Sequence, residues 1–337
     1  MTIEIRPVDP YDHAAVDAWW DAYAVARRAD LGEDATVWSR EESRAELQQE
    51  SARFSRRAYV AAEEGVVVGS ASLALTLKDN RHVAAVGVNV PPQHRRRGIG
   101  SALLAALEDE AGRAGRTTMR ADIFWPASLP ADGTGAANRE FARRHGYDVA
   151  LGDLQNRLDL PIADEAIAAL VAEAPAEGYR IRGWVGPVPE EFVAEWAALD
   201  ASLDTEAPTG DLDIDAASAD VQDFRADEAL QAAQHRTSFG TIAIAPDGRV
   251  AGYTQLVVSE DDGNAYQWGT LVRREDRGHG IGLRIKLENL RALQQHSPQT
   301  PRVYTFNAES NAHMLAVNAR LGFTLTARMA ELQKRLG

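Results

Sequence analysis

Short alternating runs of hydrophobic and polar residues are separated along the chain by runs with helical spacing. Residues 3–8 alternate like an edge strand, whereas residues 9–29 and 37–51 repeat apolar positions at helical spacing. Two strand-like runs then flank Glu63-Glu64-Gly65, which is a hairpin signal. The pattern predicts an edge strand, two helices and an antiparallel hairpin.

The pattern continues with one more strand, a glycine-containing turn and a helix. These elements cover residues 81–90, 91–100 and 101–111. A strand, a helix and a closing pair of strands complete the series, at residues 117–124, 136–144, 147–151 and 154–160. Residues 161–176 are rich in Ala and Glu and predict a connection that is partly helical.

The series then begins again, so the chain contains an internal repeat. Tyr179-Arg-Ile-Arg182 matches Ile3–Arg6, and Gly322-Phe323 matches Gly146-Tyr147, in both cases 176 residues later. Between these landmarks a glycine-rich turn recurs after 182 residues. Repeated landmarks in the same order indicate a tandem duplication of one α/β unit. We therefore predict domains at residues 1–160 and 177–337, joined by a linker at 161–176.

The repeated turn carries the candidate chemistry. Val88–Gly100 reads VNVPPQHRRRGIG and Thr270–Gly282 reads TLVRREDRGHGIG, and each precedes a helix-like run. Glycines before a helix allow a tight turn whose N–H groups, together with the helix dipole, favour an anion such as phosphate. A plain tight turn is the alternative for either copy alone. The repetition favours the phosphate cradle.

Composition narrows the class of protein. A chain of 337 residues with 45% hydrophobic and 26% charged residues is typical of two globular domains. The net charge of −14 argues against a nucleic-acid partner, and no apolar run is long enough for a membrane span. Cysteine is absent, and the first residues do not have the pattern of a signal peptide. We expect a cytoplasmic protein.

The pattern Arg-x-x-Gly-x-Gly between a strand and a helix resembles the acetyl-CoA-binding motif of the GNAT acetyltransferase superfamily. The predicted order of elements is similar to the GNAT fold in both halves. The segment TFNAESNAHMLAVNARLGF at residues 305–323 resembles the closing motif of actinobacterial GNAT proteins. Two-domain members such as mycothiol synthase share this architecture. The resemblance implies an α/β (α+β) protein of two tandem GNAT-like domains, each a mixed, mainly antiparallel sheet flanked by helices.

The resemblance also implies acetyl-CoA as cosubstrate, held by loop amides, and no metal. The implied cofactor-binding residues of the second half are Thr270, Leu271, Val272, Arg277, Gly278, His279, Gly280, Ile281, Gly282 and Asn311. Those of the first half are Val88, Val90, Arg95, Arg96, Arg97, Gly98, Ile99, Gly100 and Ser101.

Acetyl transfer to an amine needs a base for the amine, a donor for the oxyanion and stabilisation of the departing thiolate. The resemblance implies that a backbone N–H near Thr270–Val272, or near Val88–Val90, is the oxyanion donor. Many GNAT enzymes have a tyrosine acid five residues before the final aromatic residue of the closing motif. Here those positions are Asn318 and Ala142. Asn318 can donate a hydrogen bond but is not an acid.

The base is less clear, because the strand at 264–272 contains no carboxylate. The candidates are Glu309, Tyr266, His313 and, in the first half, His82. Glu309 is ranked first because it falls where the splayed strand of the second half should end. For each candidate a structural or surface role is the alternative.

An acidic stretch bears on the acceptor. Ten acidic residues and one basic residue, Arg225, lie between Asp200 and Glu228. The resemblance implies that the segment containing Asp211 and Asp213 borders the acceptor groove, which leads to the hypothesis of a cationic amine. The alternative is an ordinary solvated acidic loop.

Together these features predict an N-acetyltransferase that moves acetyl from acetyl-CoA to a primary amine of a small molecule by direct attack. We favour the second half as the catalyst, because its closing motif is more complete. The alternative is an acetyl-CoA-binding regulatory protein without catalysis. A homodimer is one alternative for the oligomeric state.

Overall fold

The computed structural model describes residues 3–337, and the chain forms two compact units. Unit 1 consists of the chain up to Leu154 together with two later segments, Thr209–Asp215 and Thr326–Gly337. Unit 2 consists of Gln155–Pro208 and Ala216–Leu325. Each unit is therefore assembled from separate stretches of the sequence.

Unit 1 has the predicted order of an edge strand, two helices, an antiparallel meander and a crossover helix. Its elements are β1 (Glu4–Pro7), α1 (His13–Leu31), α2 (Arg40–Gln48), β2 (Phe54–Glu63), β3 (Val66–Thr76), β4 (Val83–Asn89), α3 (Ile99–Arg113), β5 (Thr118–Pro126), α4 (Ala137–Arg144) and the first part of β6 (Asp148–Asp159). Ser39 begins α2 with a capping box, since its side chain accepts from Glu42 N and Glu42 bonds back to Ser39 N.

Strands β1 to β4 are antiparallel neighbours, whereas β5 runs parallel to β4. The β4–β5 pairing covers three positions, from Val83 with Thr118 to Ala85 with Arg120. Beyond these pairs the two strands separate. On its other side β5 pairs over its whole length with β12 (Thr324–Arg335), the last strand of the chain.

Unit 2 repeats this arrangement. Its elements are α5 (Asp164–Glu173), β7 (Arg180–Val185), α6 (Glu190–Glu206), α7 (Val221–Ala233), β8 (Arg236–Ile244), β9 (Val250–Ser259), β10 (Ala265–Val272), α8 (Ile281–His296), β11 (Arg302–Ala308) and α9 (Ala312–Leu321). Strands β7 to β10 are antiparallel neighbours, and β10 and β11 are parallel. The duplicated architecture predicted from the sequence is confirmed.

Strands β10 and β11 also separate after three pairs, the last being Gln267 with Thr305. A register shift between Gln267 and Thr270 marks a bulge on the β9 side of β10. Gly269 lies in this bulge, and a Cβ there would overlap Tyr253 Oη. Only glycine therefore fits at this position. The β3–β4 register runs without a shift, so unit 1 separates its strands without such a bulge.

The prediction of a closing strand pair at residues 147–151 and 154–160 is wrong. These residues form one continuous strand, β6, with no turn at 152–153. Asp153 is only 7% exposed within that strand, which a hairpin tip would not allow. The strand that neighbours β5 in unit 1 is instead β12, from the end of the chain. Among the described helices, none combines the length and apolar character needed to cross a membrane.

The position of β12 predicts which unit a mutation near the C-terminus destabilises. Leu332 is 1% exposed and packs in the unit 1 core with Met119 and Leu107. We expect Leu332→Ala to cost about 2–4 kcal/mol and to lower hydrogen-exchange protection in β3 and α3. Leu325→Ala, in the same strand but 38% exposed, is the control. Loss of protection in α8 instead would contradict this assignment.

Candidate active site

The two glycine-rich loops share one backbone conformation. Each follows a single 3-10 turn and has two residues with positive φ, Arg96 and Gly98 in unit 1 and Gly278 and Gly280 in unit 2. Their φ angles are 63° and 82° in the first loop and 87° and 75° in the second. In both loops the second of these residues is the N-cap of the following helix.

Each loop presents the N–H groups at a helix start. The first backbone bonds of the two helices run from Ala102 N to Gly98 O and from Arg284 N to Gly280 O. The N–H groups of the preceding residues have no acceptor inside the helix. Together with the positive end of the helix dipole, they form a site suited to a phosphate or pyrophosphate.

The first arginine of each motif is held by the protein itself. Arg95 donates from Nε to Val90 O (2.9 Å) and from its terminal nitrogens to Asp30 in α1. Arg277 donates in the same way to Val272 O (3.0 Å) and to Glu206 in α6 (2.9 Å). In each unit the side chain ties the loop to the helix that follows the edge strand, α1 or α6. The backbone of the loop, rather than these guanidinium groups, is left for an anion.

The other predicted cofactor residues have varied partners. Arg97 donates two hydrogen bonds to Glu63, and Arg96 is exposed. Ser101 Oγ lies 3.0 Å from His145 Nε2. In unit 2 the ring of His279 packs on Tyr179, with centroids 5.6 Å apart, and Asn311 caps α9 by accepting from Met314 N.

The surroundings of the two loops differ. A Cβ at Gly98 would meet nothing within 4 Å, whereas one at Gly280 would lie 3.3 Å from Ala174, at the end of α5. Helix α5 packs along α8 and buries three leucines of that helix, Leu283, Leu287 and Leu290. At the other end of α5, the Gln294 side chain bonds both the N–H and the carbonyl of Ile162.

Helix α5 therefore covers the outer face of α8, and it also reaches α9, because Glu173 pairs with Arg320. The three α8 leucines correspond, 182 residues earlier, to Ser101, Ala105 and Glu108 in α3. Those residues are partly or fully exposed. This face of α3 is therefore more exposed than the matching face of α8, which α5 covers.

Unit 2 contains a buried polar network where the resemblance places an acid. Lys286 Nζ donates to Asn318 Oδ1 (2.9 Å), and Asn318 Nδ2 donates to Asn307 Oδ1 (2.6 Å). Lys286 is 2% exposed, and burial lowers its pKa to about 7. The positions in unit 1 that match Lys286 and Asn318 hold Leu104 and Ala142, both buried. Lys286 was missed because, between Arg284 and Glu288, it resembles an ordinary solvated position of an amphipathic helix.

The remaining predicted catalytic residues do not join this network. Tyr266 is 3% exposed, lies in the paired part of β10, and donates from its hydroxyl to Asp262 (2.5 Å). Glu309 is exposed just beyond the end of β11. His82 is paired with Asp213, with Nε2 and Oδ2 3.0 Å apart. Whether any of them acts in catalysis stays a prediction.

Part of the acidic segment lies in unit 1, and its place beside an acceptor groove stays a prediction. Thr209–Asp215 belongs to unit 1, where Asp211 N donates to Ala150 O (2.9 Å). Asp213 accepts from Arg335 (2.6 Å) and contacts His82. The Asp213 carboxylate is therefore already paired with side chains of the same protein.

A carboxylate in unit 1 escaped the sequence analysis. Asp122 lies on β5, two residues beyond the last β4–β5 pair, and its side chain is exposed. Desolvation by the surrounding protein, followed by the charge of Glu331, raises its pKa to about 6. This residue could not be found from the sequence, because its surroundings depend on the separation of two strands.

Comparisons with known proteins agree with this geometry. Residues 14–132 match the model of the acetyltransferase (GNAT) family. A tandem GNAT protein from the clavulanic acid biosynthesis pathway superposes over 100% of this chain and 99% of its own, with a TM-score of 0.81 and 29% identity. The whole chain is thus similar to a tandem GNAT protein, and the enzyme class that these comparisons support is an N-acetyltransferase.

Two mycothiol acetyltransferases are similar in sequence. The one from Kineococcus radiotolerans is 29% identical over 79% of this chain and 77% of its own length. The one from Stackebrandtia nassauensis is 29% identical over 81% and 80%. A GCN5-related N-acetyltransferase from Sphaerobacter thermophilus shares the fold, with a TM-score of 0.67 at 18% identity. Within residues 3–337, no cluster of three or more His, Asp or Glu residues is arranged to hold a metal.

The buried lysine predicts a pH-dependent stability. The pKa of Lys286 falls from 10.5 to about 7 on folding, so between these values the unfolded chain binds more protons. The free energy of unfolding then rises with pH, by about 1.4 kcal/mol per pH unit from this residue. Lys286→Met should remove this slope. Urea denaturation of the parent and the variant at pH 7 and pH 9 tests this expectation. If their free energies of unfolding differed by the same amount at both pH values, the expectation would be contradicted.

Proposed function

We propose that the protein transfers acetyl from acetyl-CoA to a primary amine of a small molecule. The observation that carries this proposal is the open cradle at the start of α3, beside the point where β4 and β5 separate. Two sequence relatives are named as mycothiol acetyltransferases, which supports acetyl transfer to a small molecule.

In this proposal the CoA pyrophosphate binds the N–H groups of Gly98–Ser101, and the thioester lies between the separated strands. A β4 backbone N–H, near Val88–Val90, has lost its β5 neighbour and can donate to the oxyanion that forms during attack. The amine nitrogen bonds to the carbonyl carbon, the carbon–sulfur bond breaks, and CoA leaves as thiolate. No cysteine is present to form an acyl-enzyme.

The two units support this chemistry to different degrees. The bulge at Gly269 and the network of Lys286 and Asn318 favour unit 2, the half that the sequence favours. Against this, α5 covers the α8 groove, with Ala174 3.3 Å from a Cβ at Gly280. A cofactor in unit 2 would have to displace α5. We therefore assign acetyl-CoA to unit 1 in this conformation, and catalysis by the second half stays a prediction.

The covered groove also favours a second role for part of the molecule. A unit that retains the loop conformation but buries its groove is suited to a structural or regulatory function. In this alternative unit 2 supports unit 1 without turnover of its own. A cationic acceptor, a homodimer and a cytoplasmic location stay predictions.

Direct attack predicts a specific kinetic pattern. Because the amine must meet bound acetyl-CoA, double-reciprocal plots at several amine concentrations should intersect. Intact mass measurement after incubation with acetyl-CoA alone should show unmodified protein. Parallel lines together with a stable acetylated protein would contradict direct attack.

Matched substitutions in the two loops test which unit binds the cofactor. Asn and Asp both tolerate positive φ and have similar shape, so the pair Gly98→Asn and Gly98→Asp differs mainly in charge. We expect Gly98→Asp to bind acetyl-CoA about tenfold or more weakly than Gly98→Asn in calorimetry, because its carboxylate repels the pyrophosphate.

The pair Gly280→Asn and Gly280→Asp is the control, and the two variants should bind acetyl-CoA equally. A loss confined to Gly280→Asp would return the cofactor to unit 2. If the parent bound no acetyl-CoA, the proposed function would fail.

A further inference from the structure

We infer that Asp122 is the general base that removes a proton from the acceptor amine, in a charged cleft on the α1 side of the unit 1 sheet. This inference rests on the proposed function and names the residue that the sequence analysis could not assign.

The position of Asp122 follows from the way β4 and β5 separate. The last pair joins Ala85 and Arg120, so Asp122 has no β4 residue opposite it. Side chains alternate along β5. Met119 belongs to the core under α3, with Ala121 and Ile123 packed against it, whereas Asp122 is exposed on the other face.

No other separated strand offers such a group. Strands β4, β10 and β11 read VAAVGVN, AYQWGTLV and RVYTFNA, and none contains Asp or Glu. Of the four strands that separate in the two units, β5 alone contains a carboxylate, and it lies beyond the pairs. A base beside the thioester is therefore available in unit 1.

Charged groups from three elements face Asp122. Arg120 comes from the same strand, Glu331 lies opposite on β12, and Arg27 comes from α1. Arg120 is already hydrogen-bonded to Glu331. The guanidinium of Arg27 lies 4.1 Å above the ring of Phe124, and its buried Nε has no hydrogen-bond partner. The cleft thus contains the Asp122 carboxylate and the Arg27 Nε–H, and this N–H has no hydrogen-bond partner among the described residues.

The environment also gives Asp122 a suitable basicity. Desolvation and Glu331 outweigh Arg120 and Arg27 and raise its pKa to about 6. Such a group is ionised at neutral pH and accepts a proton more readily than an ordinary aspartate. A carboxylate that served only an ion pair would have its pKa lowered instead.

The Asp122 carboxylate takes one proton from the acceptor ammonium, directly or through one water. The neutral amine attacks the acetyl carbon, and the carbon–sulfur bond breaks. The nitrogen then loses its extra proton, which passes through solvent to the CoA thiolate. Asp122 returns its own proton to solvent, so each turnover releases one proton.

The test measures acetyl-CoA turnover between pH 5 and pH 9, with water and with ethylamine as acceptors. In the parent we expect the rate to rise with pH through about 6. Asp122→Asn should lower the rate at pH 7.5 about 100-fold or more, which is the usual contribution of a general base. It should also remove the rise of the rate with pH near pH 6, called the acidic limb below. Its affinity for acetyl-CoA and its Tm should match those of the parent.

Two further variants separate a catalytic from a structural role. Glu331→Gln removes the like charge opposite Asp122 and should move the acidic limb to lower pH. Asp148→Asn, at an exposed strand end, should leave the profile unchanged. Equal rates in parent and Asp122→Asn, with acetyl-CoA bound by both, would overturn this inference alone. A parent that binds no acetyl-CoA, or turns over neither acceptor, would overturn the proposed function and this inference with it.

Discussion

Each unit depends on two parallel strands that are hydrogen-bonded at one end and apart at the other. Strands β4 and β5, and likewise β10 and β11, share three pairs and then separate. Buried backbone groups that lose a partner need another, and a ligand can supply it. The glycine-rich loop follows the first strand of each pair, so the anion cradle lies at the open end. An accessible side chain such as Asp122 has room only because the strands part there.

The two units differ in one face of the helix that follows the glycine-rich loop, α3 in unit 1 and α8 in unit 2. Helix α3 presents Ser101, Ala105 and Glu108 where α8 presents three leucines. Burying a leucine contributes about 1.5–3 kcal/mol, so uncovering three costs roughly 5 kcal/mol or more. That cost equals more than three orders of magnitude in affinity, since a tenfold change is about 1.4 kcal/mol. Under the proposed function a cofactor would meet this cost in unit 2 and not in unit 1.

The sequence predicted what depends on local pattern. The duplication, the element order and the two loops follow from periodicity and from glycines at fixed spacing, and the fold class is confirmed. The partner of β12 could not be predicted, because its pairing with β5 joins residues about 200 positions apart and its alternating pattern suits either sheet. The partners of Arg95 and Arg277 depend on where a distant helix ends. The burial of this face of α8, by contrast, could have been predicted by comparing the two copies. Leu283, Leu287 and Leu290 stand where the first copy has polar or small residues.

The buried lysine shows what the covered groove retains. Lys286 and Asn318 occupy positions that hold Leu104 and Ala142 in unit 1, and an apolar pair is the less costly way to fill a core. Burying an ammonium group is offset here by Asn318, which is itself held by Asn307. Removing Asn318 alone would leave the ammonium without its closest oxygen, whereas replacing both residues by apolar ones would not. Unit 2 thus combines a covered α8 face with a buried polar pair, whereas unit 1 has an apolar pair at the matching positions. In the proposed mechanism the proton acceptor of unit 1 lies on the other face of the sheet, at Asp122.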